Sequence, residues 1–223
     1  MWFVLPYRAT LQAERKAQLA VFLEQVHARV PGSRVLVAEQ DDDAKFNRGG
    51  LFNAAVAYAL QSGLVAPDEC VCFHDVDMVP AESLLPEYTR PLGAGTARHV
   101  GCIPRYQALG SAYLGGILLM RVCDYAAVNG HSNRFQGWGR EDTDFRRRLA
   151  RGGVRVERIR GEVTDLEHMT LGDKIAHNRA TRNAGRKVRW PDAAADGLAS
   201  TQYTVTAVQK EAPRVWRVGF VLG

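Results

Sequence analysis

Cys70-Val71-Cys72-Phe73-His74-Asp75-Val76-Asp77 passes from apolar to acidic within one short segment. Cys70–His74 reads as a buried strand, and Asp75 and Asp77 stand where that strand ends. Residues two apart in an extended chain point to one side, so both carboxylates are expected on the same face. Acids concentrated there repel one another unless a cation shares them, and hard oxygen ligands suit Mn²⁺ or Mg²⁺ bridging a diphosphate. An isolated Asp-x-Asp is also common in turns and caps, so the surrounding chain has to discriminate.

Upstream, Trp2–Leu5 is apolar and Pro6 is expected to end a first strand; Thr10 would cap a helix whose spacing is set by Leu19, Phe22, Leu23 and Val26. A second strand, Arg34–Ala38, leads through the acidic turn Asp41–Asp43 to a helix from about Asn47 to Gln61, stopped by Gly63. Strands alternating with helices predict a parallel α/β sheet whose ligands gather beyond the carboxyl ends of its strands. Downstream the pattern loosens from Pro80 to Gly110. It recovers with an apolar stretch at Leu114–Val122, a short helix near Asp124–Val128 and an Asn129-Gly130 turn. A helix from Glu141 to about Arg151 ends at Gly152-Gly153, and Val154–Glu157 resumes as strand. Residues 160–198 read as loop, and alternation at Tyr203, Val205 and Ala207 and again over Val215–Val221 predicts a terminal hairpin or sheet edge.

A second acidic group, Glu141-Asp142-Thr143-Asp144, opens a helix, where carboxylates are favoured by the helix dipole. The preceding Gly137-Trp138-Gly139 adds a further meaning. Two glycines around an indole beside carboxylates suit a sugar ring stacked on the Trp, with an acid near its hydroxyls.

The 223 residues are 46% apolar and 24% charged, the composition of a folded globular chain. No apolar run approaches the roughly 18–20 residues that span a bilayer, and residues 1–7 lack the basic start of a leader, so a cytoplasmic location is expected. Cys70, Cys72, Cys102 and Cys123 match no zinc spacing and read as reduced thiols. The net charge of +5 is gathered late: between Arg140 and Arg160 eight Arg face four acids, and Arg179, Arg182, Arg186, Lys187 and Arg189 follow. Aromatic residues do not interleave with these charges, which disfavours nucleic acid and favours a solvated face or an anionic small ligand.

Taken in order, these segments resemble the β1,4-galactosyltransferases of glycosyltransferase family 7. Pro6-Tyr7-Arg8 is similar to the family's Pro-Phe-Arg, Phe46-Asn47-Arg48 to its Phe-Asn-Arg, and Asp75-Val76-Asp77 to its Asp-Val-Asp. Tyr113-Leu114-Gly115-Gly116 resembles Tyr-Phe-Gly-Gly, and Gly137-Trp138-Gly139-Arg140-Glu141-Asp142 resembles the Trp-Gly-Gly-Glu-Asp block with Arg140 in place of a Gly. Asp196-Gly197-Leu198 through Tyr203 resembles Asp-Gly-Leu-Asn-Ser.

The resemblance implies a GT-A fold, α/β with a mixed central sheet. One catalytic domain would span 1–223, with 1–110 mainly the nucleotide-sugar half and 111–223 mainly the acceptor half. It implies inverting, metal-dependent transfer from a UDP-sugar to a glycan or glycolipid hydroxyl, with Asp142 as base and Glu141 holding the acceptor. Pro6, Tyr7, Arg8, Phe46, Arg48, Asp75, Val76, Tyr113, Gly115, Gly116 and Trp138 would form the donor side. Asp77, Asp165 and His168 would hold Mn²⁺, with Mg²⁺ tolerated because Asp165 stands where the family carries Met. Tyr113 matches the family's Tyr that excludes a 2-N-acetyl group, so UDP-galactose is expected over UDP-GalNAc. Because the first strand begins at Trp2 and Cys70 has no evident disulfide partner, a bacterial, cytosolic form without the family's membrane anchor and stem is expected, with at most peripheral membrane contact. The alternatives are transfer of GalNAc or another sugar by the same machinery, or a non-catalytic carbohydrate-binding module. The latter is disfavoured by the cost of keeping Asp75, Asp77, Glu141 and Asp142 together without a task.

Overall fold

The computed structural model describes residues 1–10, 14–103, 106, 113–137, 139–167, 169–170, 172–173, 176 and 190–223. Its frame is an eight-stranded sheet in the order β7-β5-β6-β3-β1-β2-β10-β9. These strands are β1 (Trp2–Tyr7), β2 (Arg34–Gln40), β3 (Cys70–His74), β5 (Thr96–Val100), β6 (Ile117–Arg121), β7 (Arg155–Ile159), β9 (Tyr203–Ala212) and β10 (Val215–Leu222). A separate two-stranded ladder joins β4 (Met78–Pro80) to β8 (Val163–Asp165). The centre is parallel, β3-β1-β2-β10, whereas β6 runs antiparallel to both β3 and β5, and β9 runs antiparallel to β10. The all-parallel sheet predicted from strand and helix alternation is therefore corrected to a mixed one. The antiparallel β9–β10 pair is the hairpin that the terminal alternation predicted, whereas the reversed β6 left no periodicity to announce its direction.

Period-two alternation explains the layering. Trp2, Val4, Leu36 and Ala38 face one apolar cluster with the helix α2 (Arg48–Gln61), while Phe3, Leu5, Val35 and Val37 face the other with α1 (Arg15–Arg29). Three further α-helices lie among the described residues: α3 (Pro86–Thr89), α4 (Val122–Ala127) and α5 (Glu141–Arg151). Phe145 and Leu149 of α5 and Tyr125 of α4 join the α2 side of the core.

Several boundaries differ from expectation. Pro6 lies inside β1, opposite Ala38, and does not end it. It is tolerated because β3 registers with β1 only from Trp2 to Val4, so on that side Pro6 has no ladder bond to lose. Thr10 does not cap α1, whose N-cap is Glu14 without a side-chain cap bond. The loosely patterned region 80–110 contains β5, and the loop expected over 160–198 contains β8. β5 went unread because it is buried along its whole length and shows no alternation.

Candidate active site

The site forms beyond the carboxyl end of β3. Gln40 at the end of β2 accepts the Asn47 amide at 2.8 Å, and the Asn47 side chain accepts from Gly50 N at 2.8 Å, capping α2 so that Arg48 starts its first turn. Arg48 then bridges two acids: Nε donates to Asp75 at 2.7 Å and Nη1 to Asp142 at 2.9 Å. Burial opposes the Arg48 charge, but Asp75, Asp142 and Glu141 outweigh it and hold its pKa well above the usual value. Asp142 reaches this point from the first turn of α5, and Asp75 N donates to Gly116 O at 2.9 Å, which fixes the β3 end against the start of β6.

Two glycines in that junction are required by contact. A Cβ on Gly115 would overlap the Asp142 carboxylate, and one on Gly116, at φ +88°, would overlap Met78 Sδ. Tyr113, 8% exposed, lies against Tyr106 with ring centroids 4.6 Å apart and presents its edge to His99 at 5.6 Å. Burial, followed by the charges of Asp75 and Asp142, raises its hydroxyl well above the ordinary tyrosine value.

Glu141 is 7% exposed and its Oε2 is buried with no hydrogen-bond partner among the described residues. Burial and then the neighbouring Asp142 push its carboxyl up to about 7, against the opposing pull of Arg48. Two adjacent carboxyls thus differ in environment: Asp142 is paired with a cation, and Glu141 is inclined to keep its proton. That division suits an acid that holds a hydroxyl and a base that takes its proton.

Asp75 and Asp77 do not share a face. Asp75–Met78 is a turn, closed by Met78 N on Asp75 O at 3.3 Å, and the extended-chain expectation fails because β3 stops at His74. Asp77 meets Arg15 instead, at 3.2 Å, and the same guanidinium reaches Glu167 at 3.0 Å. Asp165 belongs to β8, opposite Met78, and Leu166 N donates to Asp77 O at 2.8 Å, so the chain carrying Asp165 runs directly beside Asp77. Asp165 itself accepts the Glu167 amide at 2.9 Å. Among the described residues no three His, Cys, Asp or Glu side chains converge as a complete metal cage. Trp138 and His168 lie outside the described residues. The donors that are described, Asp77 and Asp165, are hard oxygens on adjoining segments, which fits a divalent cation in kind.

The remaining expected donor-side residues have other contacts. Arg8 pairs with Asp42 at 3.1 Å and donates to the Ala44 carbonyl at 2.8 Å, pinning the loop after β2. Tyr7 is core, with Arg217 5.2 Å over its ring, and Pro6 and Val76 are structural neighbours of the site with no polar side chain to offer. Phe46 packs on the α2 side of the core, and its carbonyl accepts Gly137 N at 2.7 Å, which ties this loop to the glycine loop before α5.

Sequence reading missed Arg15 and Glu167, which pair across 152 positions with no local signal, and the support under Asp75. His74 is buried, and its Nδ1–H donates to the Asp75 carbonyl at 2.8 Å, so Nε2 accepts from Tyr88 Oη at 2.9 Å. Burial drives its pKa down to about 4, keeping it neutral in this role.

Residues 2–85 match the N-terminal region of glycosyl transferase group 7, and residues 98–171 match the family description "N-terminal domain of galactosyltransferase". These two segments contain the Arg48, Asp75, Gly115 and Asp142 junction. The chain belongs to glycosyltransferase group 7. It is 31% identical to the xylosylprotein 4-beta-galactosyltransferase of Caenorhabditis elegans, over 73% of this chain and 54% of that protein. It is 32% identical to beta-1,4-galactosyltransferase 7 of Mus musculus, over 74% of this chain and 48% of the relative. The chain thus spans about half the length of these curated relatives. The catalytic domain of Drosophila beta1,4-galactosyltransferase 7 in complex with xylobiose superposes with a TM-score of 0.75 at 22% identity, covering 100% of this chain and 94% of that one. A mutant of the same enzyme, complexed with manganese, UDP-Gal and xylobiose, superposes with a TM-score of 0.73 at 23% identity, again covering 100% and 94%. The group 7 fold of this chain is GT-A, α/β with a mixed central sheet, as the motif resemblance implied.

Proposed function

We propose that this protein is an inverting, metal-dependent galactosyltransferase that moves galactose from UDP-galactose to a glycan hydroxyl. One observation carries the reading: Arg48 joins Asp75 from the donor half to Asp142 from the acceptor half, with Glu141 buried alongside. The relatives named as galactosyltransferases, and the structural neighbour holding manganese, UDP-Gal and xylobiose, support it.

In this reading the acceptor hydroxyl gives its proton to Asp142 as its oxygen bonds to the anomeric carbon. The bond from that carbon to the diphosphate breaks, and its electron pair leaves with UDP. Glu141, whose burial favours its protonated form, holds an acceptor oxygen, and Arg48 aims Asp142 through its 2.9 Å hydrogen bond. Asp77, Asp165 and His168 would hold a divalent cation, Mn²⁺ with Mg²⁺ tolerated, which supplies neutralisation of the leaving diphosphate. Tyr113 narrows the donor pocket in favour of galactose over GalNAc, and Trp138 packs between donor and acceptor. A bacterial-type, cytoplasmic setting completes the proposal. The four unpaired thiols support a reducing compartment, and among the described residues no helix is long and apolar enough to cross a membrane.

The test is UDP release from a panel of UDP-sugars with Mn²⁺ or Mg²⁺, with and without glycan acceptors. Acceptor-dependent release from UDP-galactose above UDP-GalNAc is expected, and no release from any donor would refute the proposal. Tyr113→Leu should relax donor choice, and His168→Ala should weaken Mn²⁺-dependent UDP binding while the metal-free fold persists.

A further inference from the structure

Tyr113-Leu114-Gly115-Gly116 is buried and leads into β6, whose ladder with β3 begins only at Ile117. The carbonyls of this segment therefore need partners other than a neighbouring strand. Asp75 N donates to Gly116 O at 2.9 Å. Two side chains hold the residues before it: His99 Nε2 lies 2.8 Å from Gly115 O, and Arg158 Nη1 donates to Tyr113 O at 2.8 Å.

The tautomer of His99 follows from its neighbours. A carbonyl only accepts, so Nε2 carries its proton toward Gly115. A guanidinium only donates, so Nδ1, 3.4 Å from Arg158 Nη1, is the bare nitrogen. One neutral tautomer meets both demands. Burial, with the Arg158 charge adding to it, keeps the ring neutral and brings its pKa down to about 4, against the pull of the Gly115 hydrogen bond. His99 is 3% exposed in β5, opposite Leu118 of β6.

The carbonyl that His99 holds belongs to a wall of the candidate active site. The bare Cα of Gly115 faces the Asp142 carboxylate so closely that a Cβ there would overlap Oδ2, while Arg48 Nη1 takes Oδ1 at 2.9 Å. Asp142 is thus clamped between Arg48 and Gly115, and the Gly115 side is only as firm as the hydrogen bond on its own carbonyl.

We infer that His99 is a positioning residue for the transfer step: by donating Nε2–H to Gly115 O it fixes the wall against which Asp142 is aimed. The inference rests on the proposed transferase reading for the role of Asp142 as base. His74 is not equivalent, although it also holds a carbonyl, because that carbonyl belongs to Asp75 on the donor side. Loss of His99 should accordingly fall on kcat and leave the KM for UDP-galactose within about twofold.

The test joins a measurement on the unaltered protein to a mutant cycle. Long-range ¹H–¹⁵N correlation of the histidine rings should show His99 protonated at Nε2 and bare at Nδ1, with a coupling from that proton to the Gly115 carbonyl carbon. A ring protonated at Nδ1 overturns the inference. His99→Phe keeps a planar ring and removes the donor, so kcat with UDP-galactose, Mn²⁺ and xylobiose or another glycan acceptor should fall about tenfold. His99→Gln can donate to Gly115 O through its amide and should keep kcat within about threefold of the unaltered protein. In an Asp142→Asn background His99→Phe should change kcat by less than about twofold, because the carboxylate it aims is gone. Equal losses in both backgrounds would mark a merely structural His99 and overturn the inference, as would a Gln variant no better than Phe or a loss confined to the KM for UDP-galactose. An unaltered protein that releases no UDP with any donor and acceptor would overturn the transferase reading instead. The ¹³C resonance of the Asp142 carboxyl, which His99→Phe should move and His99→Gln should not, then decides the positioning by itself, and an unmoved resonance in the Phe variant overturns it.

Discussion

Asp142 is held by contacts that distinguish geometry from charge. One oxygen takes Arg48 Nη1, and the other faces the bare Cα of Gly115. Asp142→Asn keeps the shape and removes the base, so turnover should fall by about a hundredfold or more with UDP binding retained, as steady-state kinetics and nucleotide titration would show. Gly115→Ala tests position alone: its methyl would displace the carboxylate, and kcat should fall about tenfold or more while circular dichroism is unchanged. Glu141 makes a separate, pH-dependent statement. Its folded pKa of about 7 lies above its ordinary 4.5, so between those values the folded protein keeps a proton that the unfolded chain has released. Its contribution to stability therefore falls as pH rises through that window and is lowest above it. Glu141→Gln should stabilise the protein at pH 8 by on the order of 1–3 kcal/mol and by much less at pH 4.5, as urea denaturation at the two pH values would show. The Glu141 and Asp142 roles came from motif resemblance, whereas their divergence in protonation needed the burial of one and the Arg48 contact of the other.

The α5 helix was legible, from Glu141 to about Arg151, because acids open it and two glycines end it. What anchors it was not legible. Arg148 reaches from α5 to Asp196, which also accepts Ser132 Oγ at 2.5 Å and Asn133 N at 3.0 Å, so one buried carboxylate joins α5, the turn after Asn129-Gly130 and the segment before β9. Gly197 is needed beside it, since a Cβ there would overlap the Asn129 carbonyl. Asp196→Ala should leave Arg148 short of a partner and cost about 3–5 kcal/mol in chemical denaturation, because the surviving charge stays buried. Activity should fall with it, since α5 carries Asp142. Asp196 was readable as part of a family segment, but its partners lie 48 and 64 positions away and could not be assigned from composition or spacing.

Among the described residues, three buried histidines oppose Glu141 in their response to pH. His74 and His99 are pushed down to about 4 by burial, and His131 lies well below its ordinary 6.5 for the same first reason. Between pH 6.5 and 4.5 each can bind a proton in the unfolded chain and not in the folded one, so stability is lost as pH falls. Glu141 acts in the opposite sense over the same interval. Three protons against one leave a net loss of up to about 2–3 kcal/mol per pH unit. Thermal denaturation of the metal-free protein should show a steadily lower Tm from pH 6.5 to pH 4.5, and a Tm rising on acidification through that range would contradict the burial of these histidines.

The residue order established the α/β class, the first three strands, α2, α5, the terminal hairpin and the candidate acids, because local periodicity and turn chemistry act over a few residues and are written contiguously. Motif order added the family's mixed sheet. Neither could show β6 reversed between β3 and β5, β10 inserted beside β2, or the turn that sends Asp75 to Arg48 and Asp77 to Arg15. Those outcomes depend on which strands and charges meet across tens to more than a hundred positions. Burial is what selects among such meetings: a buried charge must find its counterpart and a buried strand its neighbour, and only the assembled sheet brings them within reach.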